Sequence, residues 1–297
     1  MTIYPFKLPL PFFPHEITGY GLMMMVAFLT GGWLITLELR RRGLLEDYSA
    51  DLVAAAVIGG VVGAKLWYVA LFRDPGALFE RGGFVWYGGF LGGTAAVLLN
   101  GWRLRVPLRW TMQLVAPALA AAYALGRVGC FLVNDDYGRP TTLPWAVRFP
   151  DGLPPSTAGN MHRLFGVPIP AGVDPNTVLA VHPTQLYEVA IMLAAFFVLW
   201  KWRLRTRPVG WLFGAYLVFA GCERFFVEIF RAKDDRFLGP FTLAQLTSVL
   251  LVGVGAVILN SWRGRPDPAP GPYLSGETAG KQAPSSKTST AAQPQKR

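Results

Sequence analysis

The sequence predicts an all-α polytopic membrane protein with seven transmembrane helices and a small extracytoplasmic cap. Of its 297 residues, 52% are hydrophobic and only 15% are charged, whereas a soluble domain carries about a quarter charged residues. Seven apolar segments approach the roughly 20 residues that a helix needs to cross hydrocarbon. The basic residues lie in short clusters between these segments, which is typical of membrane topology signals.

The apolar segments and the stretches between them divide the chain. The third segment is short, and the fourth contains Pro117, which can kink a helix. The seven predicted spans are approximately residues 17–39, 51–72, 84–100, 110–132, 185–202, 209–229 and 241–262. The predicted regions are an extracytoplasmic N-terminal segment (1–16), spans one to four (17–132), an extracytoplasmic cap (133–184), spans five to seven (185–262) and a disordered cytoplasmic tail (263–297).

Lysine and arginine orient the chain in the membrane. If the N-terminus lies outside, the inner loops and the tail hold more than half of the 28 Lys and Arg residues. The positive-inside rule therefore predicts an external N-terminus and a cytoplasmic C-terminus. This distribution also explains the net charge of +10 without nucleic acid as a partner. The two cysteines are too few for a disulfide framework.

The two longest polar stretches differ in composition. Residues 133–184 contain aromatic residues and an alternating piece, Trp145 to Phe149, that is typical of a short strand. We therefore expect a small folded cap. The tail from Arg263 is rich in Pro, Ser, Thr and Lys and has few large apolar residues, so we expect it to be disordered.

Ionisable residues inside the spans point to a functional site, because such residues are rare and usually face the bundle interior. Arg127 ends the fourth span and Glu188 begins the fifth. Spacings of four and three place Arg224, Glu228 and Arg231 on one helical face. In the predicted orientation these groups converge near the outer surface. The alternative is a set of internal ion pairs that fixes helix register.

An anionic phospholipid is the ligand that this chemistry favours. Guanidinium groups bind phosphate oxygens bidentately, and neighbouring carboxylates hold the guanidinium groups in place. Tyr20 lies near the outer end of the first span, and Tyr87 precedes the paired glycines of the third. Both tyrosines are equally compatible with an interfacial aromatic belt, and the glycines with close helix packing. We predict no metal site and no cofactor.

At this point the sequence resembles the prolipoprotein diacylglyceryl transferases of the bacterial inner membrane. The family signature G-R-x-G-N-F-x-N-x-E-x-x-G is matched at its glycines, its arginine and its phenylalanine, and the resemblance covers about residues 15–262. Four blocks carry it: Gly126–Gly138 for this signature, His182–Glu188 for H-P-[ST]-Q-L-Y-E, Arg224, Glu228 and Arg231 for R-x-x-x-E-x-x-R, and Tyr20–Met23 for Y-G-L-M.

The resemblance implies a transferase that moves the diacylglyceryl group of phosphatidylglycerol to the thiol of a lipobox cysteine in a prolipoprotein signal peptide and releases glycerol phosphate. It also implies roles for residues of this chain. The implied catalytic residues are Arg127, Arg224, Tyr87, His182 and Glu228; the phosphate-binding residues are Arg127, Arg224 and Arg231; the supporting residues are Tyr20, Cys130, Asp135, Gly138, Gln185, Tyr187 and Glu188.

The sequence departs from the family pattern at four positions. Cys130 and Val133 replace the two asparagines of the signature, Asp135 replaces its glutamate, and Tyr87 replaces a histidine that many members use as a base. Either His182 or a carboxylate then acts as base, or the thiol loses its proton to the leaving phosphate, or the activity has changed. The alternative function is a catalytically altered or inactive paralogue that binds phospholipid or lipoprotein. A transporter ranks last, because no internal repeat is evident.

Overall fold

The fold consists mainly of long helices. The computed structural model describes residues 1–9, 16–78, 83–232 and 236–277. In these residues, the long helices are α1 (Gly19–Arg41), α2 (Tyr48–Phe72), α3 (Trp86–Arg103), α4 (Leu108–Leu132), α6 (Thr184–Trp202), α7 (Trp211–Glu228) and α8 (Leu243–Ser261). The short elements are β1 (Lys7–Leu8), β2 (Ile17–Thr18), a 3₁₀ turn (Pro75–Leu78), α5 (Ala158–Phe165), β3 (Arg236–Leu238), β4 (Phe241–Thr242) and α9 (Gly271–Leu274). Strands β1 and β2 pair antiparallel, as do β3 and β4.

Each predicted span coincides with one long helix, and every predicted end lies within three residues of the observed one. Helices α1, α2, α4, α6 and α8 are long and apolar enough to cross a membrane. The chain is therefore an all-α membrane protein. Helix α7 is more polar because it carries Glu223, Arg224 and Glu228. Glycines and the terminal Asn100 and Arg103 lower the mean hydropathy of α3.

Two of the long helices, α1 and α8, begin at residues whose side chains cap the helix. The side chain of Thr18 accepts a hydrogen bond from the backbone N–H of Gly21 and so caps α1. Thr242 and Gln245 form a reciprocal capping box at the start of α8. Such caps satisfy backbone donors that have no partner inside the helix. These helix caps fix the starts of α1 and α8 at the side of the bundle where residues 133–183 lie.

Helix α4 is the centre of the bundle. It packs against α1, α6 and α7, while α2 pairs with α3 and α8 pairs with α7. The small side chains of Ala116, Ala120 and Ala124 are buried against α6 and α7. Because alanines allow close helix approach, the end of α4 is brought near the start of α6 and the end of α7. This packing positions the charged residues of the spans.

The pair α2 and α3 is held together by glycines on both helices. A Cβ atom at Gly63 would collide with the carbonyl oxygen of Gly88, and one at Gly92 would collide with that of Gly59. Backbones that approach this closely exclude any larger residue. Close helix packing therefore accounts for the glycines of the Trp86–Gly93 segment.

Residues 133–183 lie between α4 and α6 and form a compact cap. Its apolar core includes Tyr137, Phe149 and Met161, which are buried together. The predicted strand around Val147 is reduced to single bridges, among them one to Val181. Helix α5 was not anticipated, since its eight residues are too short for a clear periodic pattern. The cap covers the end of α4, the start of α6 and the end of α7.

The first part of the C-terminal segment, which was predicted to be disordered, is folded. Residues 278–297 of the expected disordered tail lie outside the described residues, but 263–277 are folded against the bundle. Leu274 is completely buried, and the hydroxyl of Tyr273 donates to the carboxylate of Asp51. Trp110 donates its indole N–H to the carbonyl of Pro268 over 2.9 Å. Because this stretch is mostly polar and rich in proline, the few residues that anchor it to the bundle could not be recognised from its composition.

Candidate functional site

The cap holds the segment after α4 against the start of α6 and the end of α7. The backbone N–H of Gly138 donates to the carbonyl of His182 over 2.8 Å, and the Thr184 hydroxyl donates to the carbonyl of Asp136 over 2.8 Å. Gly138 also bridges Arg231. A Cβ atom at Gly138 would collide with the Phe230 carbonyl, so only glycine permits this junction. Three helix ends therefore meet at one place.

Six charged side chains form a closed ring at this junction, which we call the arginine–carboxylate ring. Each of its three arginines contacts two carboxylates, and each of its three carboxylates contacts two arginines. In order around the ring, the members are Arg127, Asp136, Arg231, Glu228, Arg224 and Glu188. The sequence-based expectation that charges from α4, α6 and α7 converge is confirmed by this geometry.

The contacts on the Asp136 side of the ring are short. Arg127 Nη1 donates to Asp136 Oδ2 over 2.9 Å, and Arg231 Nη2 donates to Asp136 Oδ1 over 2.6 Å. Arg127 also pairs tightly with Glu188. Charge-assisted hydrogen bonds of this kind are among the strongest in proteins. Asp136 and Glu188 therefore hold the guanidinium group of Arg127 from two sides.

The contacts around Arg224 are looser. Arg224 Nη2 lies 2.9 Å from Glu228 Oε2, but its Nη1 lies 3.5 Å from Glu188 Oε1. Arg231 Nε lies 3.6 Å from Glu228 Oε2. The side chain of Arg224 is 29% exposed, compared with 13% for Arg127 and 10% for Arg231. Arg224 is thus the arginine of the ring that an incoming anion reaches most easily.

Asp136 is the ring member that the sequence-based prediction overlooked in favour of Asp135. Burial alone would raise the pKa of the Asp136 carboxyl, but Arg231 and Arg127 outweigh burial and hold that pKa well below its usual range. Asp135 instead accepts the backbone N–H of Asp136 over 2.8 Å, and burial raises its pKa. A left-handed backbone at Asp136 (φ 64°) turns its side chain toward the arginines, which no sequence pattern indicated.

Predicted supporting residues surround the ring. Gln185 Nε2 donates to the carbonyl of Asp135 over 2.5 Å and thereby fixes the segment that carries Asp136. The sulfur of Cys130 lies 3.5 Å from Arg127 Nη1, in the place where the family signature has asparagine. Tyr20 packs against Gly129. Its hydroxyl is near enough to interact electrostatically with Arg127 and Cys130.

His182 and Tyr187 lie beside a separate apolar cavity of about 280 Å³. His182 Nδ1 is 3.0 Å from the Tyr187 hydroxyl, and Trp145 donates its indole N–H to the same hydroxyl over 2.8 Å. The other walls of the cavity are Leu143, Ile191, Phe226, Val227 and Phe230. Burial lowers the pKa of His182 below its ordinary value, so the imidazole is neutral at neutral pH and able to accept a proton.

Tyr87 occupies a different setting. It lies at the start of α3, is 55% exposed, and has its ring 5.2 Å from that of Trp86. Among the described residues, no hydrogen bond or ion pair joins it to the arginine–carboxylate ring. Helix α3 packs mainly on α2, which favours the interfacial role that the sequence left open for this tyrosine.

The comparisons with known proteins agree with the resemblance seen in the sequence. Residues 8–261 match the family described as prolipoprotein diacylglyceryl transferase. A phosphatidylglycerol–prolipoprotein diacylglyceryl transferase of Clostridium tetani is 30% identical over 255 residues, which cover 84% of this chain and 94% of that protein. Transferases of the same name from Nitratidesulfovibrio vulgaris strain Miyazaki F and Geobacter sulfurreducens are 33% and 31% identical, over 84% of this chain and 91% and 92% of their own lengths.

Proposed function

This chain belongs to the prolipoprotein diacylglyceryl transferase family, and we propose that the arginine–carboxylate ring is the site at which it transfers a diacylglyceryl group. The donor is phosphatidylglycerol, the acceptor is the lipobox cysteine thiol of a prolipoprotein signal peptide, and glycerol phosphate is released. The observation that carries this assignment is the convergence of three arginines on one small area, because a phosphate needs several donors in fixed positions.

The fold and the charge distribution support a particular membrane arrangement. Helices α3 and α7 cross the bilayer together with the five more apolar helices, which gives seven spans. Basic clusters such as Arg40–Arg42 and Arg203–Arg207 then lie on the cytoplasmic side. The N-terminus and the cap lie outside, in the orientation expected for a bacterial inner-membrane enzyme that receives exported substrates. The ring then lies at the depth of the outer-leaflet phosphates.

Phosphate binding requires the ring to open. Each guanidinium group already contacts two carboxylates, so a phosphate oxygen must replace a carboxylate oxygen at one arginine. Arg224 is the most exposed of the three, and its 3.5 Å contact with Glu188 is among the longest in the ring. The phosphate therefore enters at Arg224. Arg127 and Arg231 are held by Asp136 and are preorganised to receive the charge that develops later.

The chemical step is a displacement at the glyceryl carbon that carries the phosphate. The thiolate sulfur forms a bond to this carbon while the carbon–oxygen bond breaks. The electron pair of the broken bond moves to the phosphate oxygen. Negative charge on the leaving group grows in the transition state, so arginines placed at that phosphate accelerate the reaction by differential binding.

A base must remove the thiol proton, since a free thiol is mostly protonated at neutral pH. His182 is the group that fits best. If its Nδ1–H donates to the Tyr187 hydroxyl, its Nε2 presents a lone pair for the thiol proton. The Asp136 carboxylate is a poor base because its pKa is held well below the usual range by Arg231 and Arg127 against the effect of burial. The apolar cavity beside His182 suits the side chains of a lipobox peptide.

Complementation tests this function directly. The wild-type gene should restore growth to a bacterial strain depleted of its own diacylglyceryl transferase, and the Arg127→Ala variant, expressed to the same membrane level, should not.

The alternative function is that of a lipid-binding paralogue. It is suggested by Cys130 and Tyr87, which replace an asparagine and a histidine of the family pattern. Failure of the wild type to complement, with phosphatidylglycerol binding intact, would support that alternative.

A further inference from the structure

The loop between α6 and α7 contains an arginine that lies between two tryptophan rings. Arg207 Cζ is 4.0 Å from the ring centroid of Trp211 and 5.0 Å from that of Trp202. We call these three residues the tryptophan–arginine clamp. Arg207 Nε is buried and has no hydrogen-bond partner among the described residues. Aromatic rings attract the guanidinium cation but satisfy none of its in-plane N–H groups. The guanidinium fork of Arg207 therefore retains donors for an anion.

The clamp lies far from the arginine–carboxylate ring. Trp202 is the last residue of α6, and Trp211 is the first residue of α7. The ring lies at the opposite ends of these two helices, about 28 Å away along the 19 residues of α6. Tryptophan is enriched where transmembrane helices pass from hydrocarbon to headgroups. In the orientation proposed above, the clamp lies among the headgroups of the inner leaflet.

The neighbourhood of the clamp carries excess positive charge. Three arginines share the single carboxylate of Glu38, and they are Arg41, Arg42 and Arg203. These four side chains keep a formal charge of about +2, counted from one carboxylate and three cations that stay ionised. Burial and the charge of Arg205 lower the pKa of Arg207. An anion bound at the clamp would relieve the repulsion between Arg205 and Arg207.

The other carboxylates at this end of the bundle have their own partners. Glu46 pairs with Arg40 over 2.8 Å. Asp267 accepts the backbone N–H of Val209 over 2.7 Å. In the part of the chain that the structure describes, neither carboxylate contacts Arg207. A zwitterionic headgroup would bring its ammonium group into this excess of positive charge, whereas a headgroup with net negative charge would not.

We propose that the tryptophan–arginine clamp binds the phosphate of an anionic phospholipid in the inner leaflet. Arg207 donates to the phosphate oxygens from its fork, as guanidinium groups do in bidentate phosphate contacts. Trp202 and Trp211 hold the guanidinium group at the ends of the two helices, and Arg205 adds positive charge. The assignment to the inner leaflet rests on the proposed orientation. The binding itself requires no transfer chemistry, since the ring is at the other end of both helices.

Native mass spectrometry of the purified full-length protein in detergent tests this site, with phosphatidylserine as the anionic probe and phosphatidylcholine as the zwitterionic one. Arg207→Gln should weaken the binding of one phosphatidylserine about tenfold, the effect of lost hydrogen bonds to a charged group, and should leave phosphatidylcholine unchanged. The matched control is Arg265→Gln, at an exposed arginine that follows α8, which should bind as the wild type does. Equal losses in both variants, or no loss in Arg207→Gln, would overturn the proposal.

Two further measurements separate a lipid site from weaker alternatives. Arg207→Lys keeps the charge but loses the fork, so it should bind phosphatidylserine about as weakly as the glutamine variant. Lysine binding equal to the wild type would show simple charge attraction and contradict the proposed contact. Inorganic phosphate at the same concentration should not displace the lipid, and displacement would identify a soluble anion as the ligand instead. Equal thermal unfolding temperatures of the Arg207 and Arg265 variants would confirm that the lost binding does not result from unfolding.

Discussion

The guanidinium group of Arg231 donates to the carboxylate of Asp136 over 2.6 Å and so ties the end of α7 to the segment that leaves α4. The same carboxylate accepts a hydrogen bond from Arg127. One aspartate therefore sets the distance between an arginine on α4 and an arginine just after the end of α7. It does so from a segment that the cap holds by backbone hydrogen bonds, which couples the fold of the cap to the geometry of the charged site.

We expect Asp136 to matter more than its neighbour Asp135. Asp136→Asn leaves Arg127 and Arg231 without their shared anion, and because the Asp136 side chain is 35% exposed, the loss is smaller than the roughly 3–5 kcal/mol of a fully buried pair. kcat/KM should fall at least tenfold. Asp135→Asn preserves an acceptor for the Asp136 backbone N–H and should cost less than about threefold, since one neutral hydrogen bond is worth about 1 kcal/mol. Transfer assays on both variants give the comparison, and equal losses would contradict the assignment of Asp136.

Arg224 should tolerate no lysine, because an ammonium group cannot contact Glu228 and a phosphate in the forked geometry of a guanidinium group. Arg224→Lys should lower kcat/KM by at least about tenfold, mainly through a higher KM for phosphatidylglycerol. The matched control is Arg163→Lys on α5, an exposed arginine of the cap whose contact is with Asn160. Steady-state kinetics in liposomes would refute this role if the two lysine variants behaved alike.

The proposed base predicts a particular pH dependence. Burial lowers the pKa of His182 from its ordinary value of 6.5, and the neutral form is the active one. Activity should therefore rise with pH through a midpoint below 6.5 and reach a plateau at neutral pH. His182→Gln should lower kcat and remove this acidic limb. A profile of kcat/KM against pH provides the measurement, and an unchanged limb in the glutamine variant would assign it to another group.

The folded part of the C-terminal segment should contribute to stability. Leu274 is fully buried against the core that contains Tyr48 and Trp110, and a buried leucine-to-alanine change costs about 2–5 kcal/mol. Leu274→Ala should lower the thermal unfolding temperature in detergent and leave KM for the lipid unchanged, since the residue is remote from the ring. The control is Leu204→Ala, at a leucine that is largely exposed. Equal stability of both variants would show that residues 263–277 do not anchor the bundle.

The long helices could be predicted from sequence because length and hydropathy determine them locally. The predicted ends are accurate to within three residues, because the apolar runs in the sequence end close to the ends of the helices. The convergence of Arg127, Glu188 and Arg224 was also predictable. Buried charges require partners, and few candidates were available in the spans.

Other features depend on geometry that the sequence does not display. The choice of Asp136 over Asp135 follows from the left-handed backbone conformation of Asp136, which an aspartate can adopt at either position. The anchoring of Leu274 depends on a hydrophobic core built by residues far away in the chain. Each of these is a tertiary relationship between positions with no common local pattern.

The most direct test of the central claim is the release of glycerol phosphate by purified protein in phosphatidylglycerol liposomes with a lipobox peptide. The wild type should release glycerol phosphate in equal amount to the diacylglyceryl-modified peptide, and Arg127→Ala should release almost none while remaining folded. Release that continues in the alanine variant, or a wild type that binds the lipid and yields neither product, would contradict the claim that the arginine–carboxylate ring carries the transfer.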